Sequence, residues 1–343
     1  MRAALAWVGI TPTDTATHRY DMALFSRRHI LAASTATVAA AVTSFRPTWA
    51  QAGTLNIHTA VKDGQFWDYG AGLAAYIKSK TGTQIDVVAT SGSLDNLRAV
   101  NTSATSLGTV FLGSALDAVN GTGPFAGNKL TNVRALTPMY ETSFQSAALV
   151  GKGIASVRDL NGKRVGVGPK GGPAEVFFRG LIEIAGVTPV IVNGSPVDQT
   201  KQLVSGEIDA FWQGSVVPIP PLKAAADVAD VVIFGVAEQD MAAMLARFPA
   251  LAPTSVPAGS YRGQAAALRS VAAWNFILAH KDLPDEVAAQ LTRAALSSAN
   301  PAADIHASAS FTRRENAPSN SVVPFHPGAL SVYREMGVKI PGL

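Results

Sequence analysis

Leu55-Asn-Ile-His-Thr59, a loop through Gly64, an amphipathic run over 66–80, and Gln84-Ile-Asp-Val-Val88 open a pattern that decides the fold. Ser91-Gly-Ser93, a short helical stretch holding Asp95 and Asn96, and Leu107-Gly-Thr-Val-Phe111 complete it. Apolar runs of four to six residues bounded by Gly and Ser read as strands, and the longer periodic run reads as a helix. The same order returns downstream. Arg164-Val-Gly-Val-Gly168 leads to a loop through Gly171 and Gly172, then a helical run over 174–185. Val190-Ile-Val192, Ser195-Pro196, a helix with Asp198 and Gln199, and Ile208-Asp-Ala-Phe-Trp212 follow. Two α/β units of like size predict two lobes facing a cleft, a favoured place for small ligands.

The chain has 343 residues, 48% hydrophobic and 15% charged, which fits two folded lobes and excludes disorder. Five of its 28 basic residues and two of its 24 acidic residues precede position 53, which leaves 23 and 22. The remaining chain is nearly neutral and carries no charge excess suited to nucleic acid. There is no cysteine, so disulfides, thiolate metal sites and thiol nucleophiles are out of reach.

Ser26-Arg27-Arg28-His29-Ile30-Leu31 is a twin-arginine pattern ahead of an Ala-rich apolar run, Ile30 to Val42. The run is too short to span a bilayer core of roughly 30 Å. Ala50-Gln51-Ala52 then supplies an A-x-A cleavage pattern. Residues 1–52 are therefore expected to be an export signal, with Met22 as the true start and the periplasm as destination. The mature chain is expected to divide into lobe one (53–140 plus 271–343) and lobe two (141–270). The chain would cross near Glu141-Thr142-Ser143, between extended segments at 133–140 and 146–150, and return near 270. A helix start is expected at Asp282-Leu-Pro284-Asp285, with an acidic or polar cap and an end near Ser298.

Ligands of α/β lobes meet strand C-termini and the N-termini of the helices that follow, where free N–H groups favour anions. Four such ends are legible: Lys62 to Trp67, Thr90 to Asn96, Gly168 to Pro173, and Gly194 to Pro196. Glycine lets backbone approach a ligand, and Ser and Asn add neutral hydrogen bonds. Ser93 reads equally as a helix cap. Phe66 and Trp67 read as a ligand wall or as core, and Lys62 and Lys170 as closing cations or as solvated loop residues. Gly166-Val-Gly168-Pro-Lys-Gly171 has the dinucleotide spacing, yet Val192-Asn193 stands where an acid would hold the ribose, so no NAD is expected. No G-x-S-x-G, S-x-x-K, H-E-x-x-H or phosphate-binding loop is present, and His58, His280, His306 and His326 are scattered. No enzyme activity, cofactor or metal is expected. His326, before Pro327-Gly328-Ala329, reads as structural.

From 54 to 338 the chain resembles the TAXI family of solute-binding receptors of TRAP transporters. Gly64-Gln65-Phe66-Trp67-Asp68-Tyr69-Gly70 aligns with that family's opening motif, and Gly92-Ser93-Leu94-Asp95-Asn96 with its Gly-Ser-x-x-Asn motif. Asp159-Leu-Asn-Gly-Lys, Gly206-Glu-Ile-Asp209 and Phe325-His326-Pro327-Gly328-Ala329 carry the rest. The resemblance implies a two-lobed periplasmic binding protein of type II-like fold. Its two Rossmann-like α/β domains would be joined by crossing segments. It would bind a small organic acid or amino-acid-like solute and dock on a TRAP-type membrane permease. The candidate ligand contacts are Lys62, Gly64, Phe66, Trp67, Ser91, Ser93, Asn96, Lys170, Gly171, Gly172, Ala174 and Gln213. Where the family shows Gly-Ser-Gly-Thr, this chain has Gly171-Gly172-Pro173-Ala174, which removes two hydroxyls and one backbone donor. A less polar acid is expected. The rival readings are a binding protein of an ABC importer, an exported enzyme, and a receptor feeding a sensory kinase.

Overall fold

The computed structural model describes residues 54–62 and 64–340. The expected export signal, its arginine pair and Met22 lie outside the described residues.

The first repeat folds as β1 (Leu55–His58), α1 (Gln65–Thr81), β2 (Ile85–Val88), α2 (Ser93–Thr102), β3 (Ser106–Phe111) and α3 (Leu112–Asn120). The second folds as β5 (Arg164–Gly166), α4 (Pro173–Ala185), β6 (Val190–Val192), α5 (Pro196–Ser205) and β7 (Ala210–Ser215). β4 (Val133–Leu149) precedes the second repeat. After it come α6 (Pro220–Val228), β8 (Val231–Phe234), α7 (Glu238–Arg247), β9 (Ala252–Val256) and β10 (Leu268–His280). The chain closes with α8 (Asp285–Ala295), α9 (Pro301–Asp304) and α10 (Pro327–Glu335).

All ten strands join one mixed sheet, whose main path runs β2-β1-β3-β10-β4-β7-β5-β6. β1 pairs in parallel with β2 and β3, and β5 pairs in parallel with β6 and β7. Both repeats therefore place their first strand between their second and third. Each is extended by one long antiparallel strand, β10 beside β3 and β4 beside β7. β4 and β10 also pair with each other from Val271↔Phe144 to His280↔Val133. The segments expected at 133–140 and 146–150 are one strand, because Glu141 to Ser143 stay paired with Trp274 to Ala272. The register shifts between Trp274 and Phe276. There Asn275 Nδ2 donates to Tyr140 O at 2.9 Å and Thr142 Oγ1 at 2.8 Å, so the irregularity leaves no polar gap.

Ile57, Leu73, Ile77, Leu107, Ile277 and Leu291 meet between the sheet, α1 and α8. Each such burial contributes about 1.5–3 kcal/mol. Phe144, Phe178 and Trp212 form a second core, with Trp212 stacked on Phe144 at 5.8 Å. The indole N–H donates to Ala174 O at 3.0 Å, which satisfies the buried donor. The cap of α8 is Pro284, which makes no side-chain cap bond, and the helix ends at Ala295 rather than near Ser298. Ser297 Oγ donates to Ala294 O at 2.8 Å and takes up a terminal carbonyl there. His326 is fully buried and caps α10, its Nδ1 accepting from Gly328 N–H at 3.2 Å. Tyr333 Oη donates to Leu136 O at 2.8 Å and pins α10 to β4. Among the described residues, no helix is long and apolar enough to cross a membrane.

Candidate ligand-binding cleft

A cleft of about 670 Å³ opens where the two repeats face each other, a volume suited to a small organic ligand. One wall comes from the starts of α2 and α3: Ser91, Ser93, Asp95 and Arg98, then Phe111, Gly113, Ser114 and Asp117. The other comes from Pro169 to Pro173, Val176 and Phe177 of α4, and Arg247 to Ala250 after α7. Three helices thus turn their N-termini to one space. The first-turn N–H groups of a helix have no partner inside it, and its dipole is positive there.

The first wall is fixed from behind by Asn96. This residue is fully buried. Its Nδ2 donates to Thr59 O at 2.6 Å and Thr109 O at 2.8 Å, while Oδ1 lies 2.7 Å from Thr90 Oγ1. It ties α2 to the ends of β1 and β3. Ser93 does not cap α2. The cap is Gly92, at φ 117° and ψ −155°, a conformation that glycine alone adopts readily. The Ser93 hydroxyl instead accepts from Phe111 N–H at 3.1 Å and locks the end of β3.

Gln199 does for the second wall what Asn96 does for the first. It is also fully buried. Its Oε1 accepts from Gly168 N–H at 2.7 Å, and its Nε2 donates to Val192 O at 2.8 Å. Glu175 then closes the loop ahead of α4. Its carboxylate accepts from Gly171 N–H at 2.6 Å, Asn193 Nδ2 at 3.1 Å and Arg179 Nη2 at 2.6 Å. The Gly171 N–H bond, with help from Arg179 and Asn193, holds this carboxyl below the usual carboxylate range.

Of the residues expected from sequence, Ser91, Ser93, Lys170, Gly171 and Gly172 line the cleft. Lys62, Gly64, Phe66, Trp67, Asn96, Ala174 and Gln213 do not. The Lys62 ammonium sits over the Trp67 ring at 5.6 Å. Phe66 packs at 6.3 Å from the Tyr140 ring, and Gly64 precedes α1. Ala174 is buried under Trp212, and Gln213 Oε1 accepts from Gly214 N–H at 3.2 Å.

Sequence reading missed Arg98, Arg247, Phe111, Phe177 and Phe248. Two of them had a signal. Arg98 follows Asp95 by three residues and Phe177 follows Pro173 by four, so each shares a helix face with a residue at the cleft. Arg247 and Phe248 reach the cleft only through the tertiary fold. Arg98 pairs with Asp95 at 3.3 Å, and Arg247 with Glu183 at 2.6 Å, both half-exposed. Asp117 Oδ1 accepts from Thr122 Oγ1 at 2.9 Å. Lys170 makes no ion pair among the described residues. Three cations and two acids thus line the space. Below them, Phe177 lies 6.0 Å from Phe111 and 5.0 Å from Phe248, an aromatic floor built from both walls. Among the described residues, no group of three His, Asp or Glu side chains is arranged to hold a metal ion.

Residues 57–337 match the model of the NMT1-like family. The chain belongs to the NMT1-like family. Solved structures similar to this NMT1-like protein include MatC from Rhodopseudomonas palustris with bound malate. That match is 16% identical, covers 70% of this chain and 82% of that one, and has a TM-score of 0.49. Rpa4515 from R. palustris with adipate is 14% identical over 83% and 92% of the two chains, at 0.49. The periplasmic aliphatic sulphonate binding protein SsuA from Escherichia coli is 15% identical over 84% and 80%, at 0.45.

Proposed function

We propose that this NMT1-like protein is an extracytoplasmic solute receptor. It binds a small carboxylate-bearing solute in the cleft and passes it to a membrane transporter, without chemistry on the solute. One observation carries the reading: the N-termini of α2, α3 and α4 converge on a space lined by Arg98, Lys170 and Arg247. Helix N-termini and cations together favour an anion. Ser91, Ser93, Gly171, Gly172 and Lys170 are the proposed first contacts. The lobes are proposed as 53–140 plus 271–343 and 141–270, with closure about β4 and β10 as the signal read by the transporter.

An exported enzyme is the weaker reading. His58 Nε2 and Ser106 Oγ lie 3.2 Å apart, but between β1 and β3 and away from the cleft. The motifs quoted above favour the TAXI group, a TRAP-type permease as partner, and export to the periplasm by the twin-arginine route. An ABC importer or a sensory kinase would use the same kind of cleft.

A thermal-shift screen of the full chain against organic acids, neutral metabolites and amines tests the solute class. An acid at 100 times its dissociation constant is expected to stabilise the fold by about 2.7 kcal/mol. A shift with neutral or cationic compounds and with no acid would overturn the carboxylate reading. Uptake in cells that stops when the ion gradient is collapsed, and persists when ATP is depleted, is the result expected for a TRAP partner.

A further inference from the structure

The two walls of the cleft differ in chemistry. On the α2 and α3 side stand three hydroxyls, two carboxylates and Arg98. On the α4 side, among the described residues, Lys170 and Arg247 are the only lining residues that are not glycine, proline or apolar. Arg247 is already paired with Glu183 and lies over the Phe248 ring at 5.6 Å. Val176 is 46% exposed on this wall, apolar surface left open among the described residues. A row of neutral hydroxyls placed here would find few partners, and unpaired polar groups in a closed site are costly.

The floor is shaped for flat groups. A Cβ on Gly113 would overlap the Phe111 ring, one on Gly180 would overlap Phe248, and one on Gly214 would overlap Phe144. Each ring therefore lies directly on a glycine. Phe144 in turn holds Phe177 edge-on at 5.0 Å. Phe111, Phe177 and Phe248 reach the cleft as one braced row.

Resting on the receptor reading above, we infer that the solute is an amphipathic monoanion with an aromatic or similarly flat apolar body. Its carboxylate meets Lys170, which makes no ion pair among the described residues, and the N-terminus of α4, because the wall of α2 and α3 carries Asp95 and Asp117 and its Arg98 is already paired with Asp95. Its ring lies against Phe177, Phe248 and Val176, where aromatic and apolar contacts replace hydrogen bonds. A second carboxylate would stand against Asp95 and Asp117 on the wall of α2 and α3, which disfavours dicarboxylates, and the apolar lining disfavours sugar acids.

Calorimetry on the full chain with phenylacetate, phenylacetamide, malate and adipate tests this. Phenylacetate is expected to bind at least about tenfold more tightly than either dicarboxylate, and at least about tenfold more tightly than its amide. Phe248→Ala is expected to weaken phenylacetate about fivefold. Val176→Asn changes an exposed helical position that does not hold the core, and is expected to narrow the preference for phenylacetate over adipate. Malate or adipate binding as tightly as phenylacetate would overturn the aromatic class and leave the carboxylate reading intact. Equal affinity for acid and amide would overturn the carboxylate reading itself. Binding of none of the four would overturn the inference.

Discussion

Glu175 joins three donors from different parts of the chain, so its charge matters beyond its own turn of helix. With 3% of its surface exposed, it cannot exchange those bonds for water. Its folded pKa is lowered, so its contribution to stability is present above the unfolded carboxyl value of about 4.3 and is lost as pH falls through the folded value. Glu175→Gln is expected to cost about 1–3 kcal/mol at neutral pH in denaturant unfolding. It should also flatten the fall in stability below about pH 4. An unchanged slope there would mean that other carboxyls carry the acid response. Asn96 shows the limit of reading single residues. Its spacing after Gly92 and Ser93 marked it as a ligand contact, and spacing does place it at the right helix end. A residue so close to a helix start points either into the cleft or back toward the strands. Only the positions of the Thr59 and Thr109 carbonyls settle the direction.

At the level of elements, the repeat was legible because each strand is a short apolar run ended by glycine or serine. Of the four helix starts it singled out, those of α2 and α4 line the cleft and those of α1 and α5 do not, while the α3 start and the order of the strands were not read from it. What escaped was whatever depends on one element packing on another. The wall from α7 is the plainest case. Arg247 and Phe248 sit at the end of a helix with no ligand motif, and they reach the cleft because Gly180 lets α4 and Phe248 touch. Gly180→Ala separates two opposed effects. Alanine favours helix by about 1 kcal/mol, while the added methyl overlaps a ring that Phe177 holds from the other side. Overpacking of this kind costs about 1–3 kcal/mol, so a net loss of stability is expected in thermal unfolding, together with weaker solute binding. A gain in melting temperature with unaltered binding would show that Phe248 is free to move.

Across the whole molecule, the two repeats share β4 and β10 and little else in the sheet. Closure of one half on the other would therefore bend these strands while the parallel ladders of each repeat stay intact. Solute is expected to lower the radius of gyration in small-angle scattering. Hydrogen exchange should slow at 91–98 and 168–176 and change little within β1 and β5. Protection spread evenly over all strands would instead mean general stiffening without closure. The cations at the cleft are half-exposed, so affinity should fall as salt shortens the Debye length toward about 10 Å.

The place of β10 between β3 and β4 also sets an order of assembly. As the chain emerges, the first repeat appears before the strand that completes it. β3 must wait with an open edge until residues 268–280 arrive, more than 150 positions later. The second repeat has no such delay at β7, since β4 already stands in the chain when Ala210–Ser215 emerge. The half made first is thus the half finished last. A chain cut short before β10 would leave two unpaired strand edges for other chains to join.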